Sequence, residues 1–145
     1  MRTADDHGLR PAGAAPVLAV VLGVVALLAG CGADVERAEA ARAADAFVQA
    51  GQRDPAAACR VLAPRTLETV EEDGTPCARA LPELGLPQPG ARSTVSVAGH
   101  SAQVRYASDT VFLALFDDGW RVTAAGCEHR SDDEAIPYDC TVDGG

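Results

Sequence analysis

Hydrophobic and polar residues follow two different periods along this chain. Between residues 34 and 49, polar residues recur every three or four positions and apolar ones lie between them, which predicts an amphipathic helix. Beyond residue 90 the period falls to two, which is typical of strands with one buried face. The pattern therefore predicts an α+β domain in which N-terminal helices pack on a C-terminal antiparallel sheet of about four strands.

Local signals place the helix boundaries. Asp34 is a suitable N-cap for the first helix, and Gly51 a suitable stop. Asp54-Pro55 begins a second helix, because aspartate caps well and proline is tolerated in the first turn. Two more helical pieces are expected, one over residues 65–72 and a short one after Thr75-Pro76.

The sheet is expected to begin after the break at residues 87–90. Residues 94–98 and 103–106 form a hairpin, residues 109–116 are apolar on both faces like a central strand, and residues 120–124 follow an Asp-Asp-Gly turn. We expect Trp120, Val122 and Ala124 to point together into the core. Residues 126–145 are polar and predict an irregular tail held against the sheet edge.

An apolar run at residues 17–31 precedes this domain. Its 13 residues from Val17 to Ala29 are too few to cross about 30 Å of hydrocarbon as a helix, which favours an export signal. Its end resembles the lipobox of bacterial lipoproteins, Leu28-Ala29-Gly30-Cys31. That resemblance implies a signal peptide over residues 1–30, a diacylglyceryl group on Cys31, and a short tether over residues 31–33. The alternative is an ordinary secretory signal with an incidental cysteine.

The charge of the chain excludes one class of partner. The net charge is −9, and every basic side chain other than histidine is an arginine. Arg2 and Arg10 balance Asp5 and Asp6 in the signal segment, so the excess negative charge belongs to the exported part. Because nucleic-acid binding depends on clustered basic residues, we expect no nucleic acid as partner.

One of the five cysteines, Cys31, lies in the lipobox-like motif, and the other four lie in the domain that follows. If Cys31 carries lipid, an even set remains, and thiols outside the cytoplasm usually pair. The set allows three pairings; its members are Cys59, Cys77, Cys127 and Cys140. We favour Cys59 with Cys77 and Cys127 with Cys140, because each closes a short local loop. A redox pair is disfavoured, since the chain has no Cys-x-x-Cys motif.

Little in the chain indicates catalysis, and we expect no catalytic residue, metal or cofactor. A zinc site at Cys127, His129 and Cys140 would lack an obvious fourth ligand. A calcium site would need the residue spacing of a coordinating loop, which is absent from the acidic residues Asp132, Asp133, Glu134 and Asp139.

The predicted order of elements is helices followed by an antiparallel meander, whose last hairpin contains Phe116-Asp117-Asp118-Gly119-Trp120-Arg121-Val122. This arrangement resembles a small NTF2-like (cystatin-like) domain. The resemblance covers residues 34–127 and leaves residues 128–145 as a tail tethered by a disulfide. With Ala-Ala-Gly-Cys at 124–127 and Pro-Tyr-Asp-Cys at 137–140, the chain is similar to actinobacterial lipoproteins of uncharacterised function. The resemblance implies a fold but no reaction. NTF2-like enzymes use polar residues on the concave face of the sheet, so the resemblance implies that any pocket here is lined by Arg105, Tyr106 and Asp109.

Location and absent chemistry together predict a non-enzymatic binding module. We expect it to be anchored by lipid to the extracytoplasmic face of the cell membrane, where it binds an envelope protein or a small apolar ligand. The alternative is a small-molecule carrier or enzyme that uses the concave face of an NTF2-like sheet. A homodimer through the exposed face of the sheet is a third hypothesis.

Overall fold

The computed structural model describes residues 15–130 and 138–145, and of residues 15–31 it describes only the helical backbone. The chain divides into two compact units, residues 1–32 and residues 33–145. The side chains of the lipobox-like residues, Leu28 to Cys31, therefore lie outside the described part, as do Asp132, Asp133 and Glu134. None of the described helices has both the length and the apolar character needed to cross a membrane.

Within the described residues, four helices precede the sheet: α1 (Ala15–Arg53), α2 (Pro55–Cys59), α3 (Pro64–Val70) and α4 (Cys77–Glu83). The predicted start at Asp34 and stop at Gly51 were wrong, since α1 runs through both. Nine of the 19 residues 15–33 are alanine or leucine, which form helices readily, and an isolated glycine costs a helix only about 1 kcal/mol. The predicted cap of α2 is confirmed, because the Asp54 carboxylate accepts the Ala57 N–H at 3.1 Å.

The sheet has five antiparallel strands in sequential order: β1 (Arg92–Ala98), β2 (Ser101–Tyr106), β3 (Thr110–Phe116), β4 (Gly119–His129) and β5 (Tyr138–Asp143). The expectation of about four strands was short by one. The expected irregular tail includes β5 and the last part of β4. Because β5 lies at the sheet edge, only Val142 of its residues is fully buried, which leaves little apolar pattern in the sequence.

A bulge in β4 makes one predicted core residue, Ala124, wrong. Leu113 pairs with Val122, but the next pair is Phe112 with Ala124, so Thr123 is the extra residue. Trp120 and Val122 lie in the core as predicted, whereas Ala124 is paired on the opposite face of the sheet. Ala125 takes its place in the core.

Two different segments flank β4 on the side away from β3. Strand β5 pairs with its C-terminal half from Ala124 to His129. A single parallel bridge, Leu62 to Val122, covers its N-terminal half, with backbone hydrogen bonds of 2.8 Å from Ala63 N–H and 2.9 Å to the Val61 carbonyl. The connection between α2 and α3 thus acts as a short extra strand.

The helices cover one face of the sheet, and the core fills the space between them. Its largest fully buried side chains come from both layers and include Phe47, Leu62, Leu81, Val104, Leu113 and Val122. Disulfides join Cys59 to Cys77, between α2 and α4, and Cys127 to Cys140, across β4 and β5. These are the two pairings favoured from the sequence.

Candidate functional site

The three residues predicted to share a pocket do not form one site. Arg105 and Tyr106 are neighbours on β2, so their side chains lie on opposite faces of the sheet. Arg105 is exposed on the face without helices, where it donates to the Tyr138 hydroxyl at 3.0 Å. Tyr106 faces the helices, and Asp109 is buried at the start of β3.

Asp109 supports the backbone. Its carboxylate accepts the N–H of Cys127 at 3.0 Å, which ties the start of β3 to the irregular part of β4. Burial raises the pKa of Asp109, and backbone N–H groups of Cys127, Gly126 and Thr110 offset part of that rise. These contacts give Asp109 a structural role, with no opening toward a ligand.

Tyr106 joins a short polar network between α1 and the sheet. Its hydroxyl donates to one oxygen of the Asp45 carboxylate at 2.7 Å, and Arg92 donates to the other oxygen at 2.5 Å. Burial raises the pKa of Tyr106 well above its ordinary value, and the hydrogen bond to Asp45 adds to the rise. The phenol is therefore a fixed hydrogen-bond donor at neutral pH and not a base.

This network forms one wall of an open cleft of about 410 Å³. The lining is mainly polar and comes from the last turns of α1, the loop before β1, the start of β1 and the end of β2: Asp45, Val48, Gln49, Gln52, Arg53, Gln88, Pro89, Gly90, Arg92 and Tyr106. We call it the Tyr106 cleft.

The Tyr106 cleft carries net positive charge in a strongly acidic chain. Its two arginines accompany a single carboxylate, and Arg92 already pairs with that carboxylate. Arg53 is exposed and has no ion-pair or hydrogen-bond partner among the residues that the structure describes. A free guanidinium beside three glutamine amides suits a ligand with a carboxylate and several hydroxyl or amide groups.

Sequence reasoning found only Tyr106 among the residues of this cleft. Asp45, Gln49 and Arg53 recur at intervals of four along α1, and Gln52 follows Gln49 by three, so the four residues share one helical stripe. The predicted helix stopped at Gly51, so Gln52 and Arg53 were placed beyond it. That stripe was the available signal, and only the position of the loop at Gln88 shows that it forms a wall.

A second cleft, of about 550 Å³, lies beside the β3–β4 hairpin and is lined by α2–α3 residues and by Phe116. Phe116 is 40% exposed, which is unusual for a large aromatic side chain. Arg121 crosses this region, donating to Asp118 and, at 2.9 Å, to the Arg60 carbonyl. The pairing raises the pKa of Arg121 and lowers that of Asp118. These contacts brace the hairpin.

The zinc alternative loses its thiolates, because Cys127 and Cys140 form a disulfide. Across the described residues, 15–130 and 138–145, no group of three or more histidine, cysteine or acidic side chains is arranged to hold a metal ion.

Comparison of the chain with protein-family models, with curated proteins and with solved structures gives no match.

Proposed function

We propose that this protein is a lipid-anchored, extracytoplasmic binding module with an NTF2-like domain, and that it holds a polar, carboxylate-bearing ligand in the Tyr106 cleft. The observation that carries the proposal is the free guanidinium of Arg53 in a cleft that is also lined by three glutamines, Gln49, Gln52 and Gln88. Nothing in this cleft resembles a nucleophile with its base, so the proposed role is binding without catalysis.

Packing on the inner face of the sheet favours this proposal over a carrier or enzyme that uses the concave face. Phe47 from α1 and Leu113 from β3 are fully buried between helices and sheet, together with Trp120 from β4. A ligand cavity there requires some of these side chains to move, which costs packing energy. The Tyr106 cleft is already open. Because its lining is polar, the proposed ligand is polar, whereas the sequence led us to expect a small apolar ligand.

Membrane anchoring through Cys31 is tested by replacing the cysteine with serine. A serine hydroxyl does not replace the thiol that takes the diacylglyceryl group, so we expect the Cys31→Ser chain to be unprocessed or released from the membrane fraction. The measurement is incorporation of a labelled fatty acid together with membrane fractionation, and Cys31→Ser should lose the label. Equal labelling of both chains would contradict the anchor and leave the binding site unaffected.

Ligand binding in the Tyr106 cleft is tested with glucuronate as probe and glucose as its neutral counterpart. Only glucuronate offers a carboxylate to Arg53, so we expect it alone to shift the amide resonances of Gln49 and Gln52. Arg53→Gln removes a charge-assisted hydrogen bond of about 1.5–3 kcal/mol, which corresponds to roughly tenfold weaker binding or more.

The matched control for Arg53→Gln is Arg79→Gln, an exposed arginine on α4 that lies outside the Tyr106 cleft. It makes the same change of charge and should bind glucuronate like the unaltered chain. Equal weakening in both variants would show a general charge effect and contradict the site. Equal binding of glucose and glucuronate would contradict the assigned role of the carboxylate.

A further inference from the structure

Strand β1 is an edge of the sheet, and little packs against it. Its neighbour in the sheet is β2, and it makes no comparable packing with any other described element. Five of its seven residues are exposed, and Val95 and Val97 are only half-buried although they face the core side. An exposed edge strand is a template for pairing with another strand.

The backbone of β1 has hydrogen-bonding groups available along this edge. Ala98 and Ser101 flank a two-residue turn, so they form a hydrogen-bonded pair, and the bonded pairs alternate from there along the strand. Val95 and Val97 therefore direct their N–H and C=O groups away from β2. Among the described residues, the backbone hydrogen bonds outside the regular elements involve none of residues 92–98.

The side chains of this edge also lack the usual protection. Residues 93–98 are Ser-Thr-Val-Ser-Val-Ala, without a charge or a proline. The opposite edge differs, because β5 carries the exposed residues Asp139 and Asp143 and packs against α3. In a chain with a net charge of −9, an uncharged edge of six residues brings no like charges against the same edge of a second copy.

We propose that β1 pairs antiparallel with β1 of a second copy, about a twofold axis at Ser96, so that the two sheets join into one sheet of ten strands. This register sets each Val95 opposite the partner's Val97, which are the residues whose backbone groups point outward. The half-buried valines of the two copies then cover one another and continue the apolar layer of each core. Ser96 lies opposite its own symmetry mate, so the interface contains no pair of like charges.

This edge-to-edge dimer differs from pairing through the exposed face of the sheet, and of the residues that line the Tyr106 cleft only Arg92 belongs to β1. Because both copies are acidic, their long-range repulsion opposes association, and salt screens it with a Debye length of about 8 Å at 0.15 M. The dimer should therefore tighten as salt is raised from low concentration, which is opposite to the behaviour of an interface held by ion pairs.

The substitution Ser96→Glu tests the register directly. In the proposed dimer it sets two carboxylates opposite each other across the twofold axis, in a pair whose Cβ atoms lie about 4.5–5.5 Å apart. The full chain, extracted from membranes in a mild detergent, is measured by light scattering after subtraction of the detergent. We expect a mass of two chains for the unaltered protein and of one chain for Ser96→Glu at the same concentration.

Two further variants complete the test. Ser101→Glu adds the same charge on the same sheet face but one strand inward, and it should remain dimeric. Ser96→Arg should be monomeric alone and should form a mixed dimer with Ser96→Glu, since the pair then attracts. A monomeric unaltered chain at all concentrations would overturn the proposal, as would a dimer that Ser96→Glu leaves intact. Circular dichroism shows that each variant is folded.

Discussion

Replacing Gly126 with alanine is expected to lower the free energy of unfolding by about 2–4 kcal/mol. Gly126 has a φ of +65°, a conformation that residues with a Cβ rarely adopt. An added Cβ would also lie 2.8 Å from Leu86 Cδ2 and 2.9 Å from Thr141 Cβ. Backbone strain and steric overlap therefore act at the same residue, where Asp109 holds the irregular part of β4.

Urea unfolding followed by circular dichroism measures this effect, and Gly74→Ala is its matched control. Gly74 has a φ of +76°, yet nothing lies within 4 Å of an added Cβ. Gly74→Ala therefore reports the backbone strain alone, about 1–2 kcal/mol. If Gly126→Ala costs no more than Gly74→Ala, Leu86 and Thr141 move aside freely, and the close packing of β4 against β5 is not a source of stability.

Removing the disulfide between Cys59 and Cys77 is expected to cost about 3 kcal/mol, because its loop of 18 residues gains freedom mainly in the unfolded chain. Helix α2 has only five residues, too few to be stable alone in water. The double variant Cys59→Ala with Cys77→Ala should therefore unfold at clearly lower urea concentration while keeping its strand content.

The cost of removing the second disulfide, measured in the same way, is compared with the cost of removing the first. Cys127 and Cys140 close a loop of 13 residues, so chain entropy predicts nearly the same cost for Cys127→Ala with Cys140→Ala. Their strands also pair through the β4–β5 ladder, which should keep the register when the bridge is lost. A change below about 0.5 kcal/mol in the Cys59 and Cys77 variant would contradict the expected role of that bridge.

The parts of the fold with strong local signals followed from the sequence. Asp54-Pro55 specifies the start of α2 through a cap and a fixed φ, and both act within one turn. The turn at Asp117-Asp118-Gly119 was likewise found, because it joins two strongly apolar strands. The end of α1 and the strand β5 were missed, since a single glycine stops a helix only weakly and a short edge strand shows little apolar alternation.

The candidate site was harder to predict than the fold. Tyr106 and Asp45 are 61 positions apart in the chain, and neither is unusual in its local context. Arg105 and Tyr106 were both expected on the concave face of the sheet, yet alternation along a strand places the side chains of adjacent residues on opposite faces. A free guanidinium such as that of Arg53 is recognised only when every neighbouring carboxylate has been placed in space.

The amino-acid sequence by itself determined the fold class of this protein, helices followed by antiparallel strands, and it favoured two local pairs among four cysteines. These features depend on residues close together in the chain, whose propensities and spacings act over one turn or one hairpin. The tertiary structure decided which face each side chain occupies, where Asp45, Arg92 and Tyr106 meet, and which strand edge remains unpaired. Those outcomes depend on contacts between distant segments, because a one-residue bulge such as that at Thr123 changes the face of every residue that follows it in the strand.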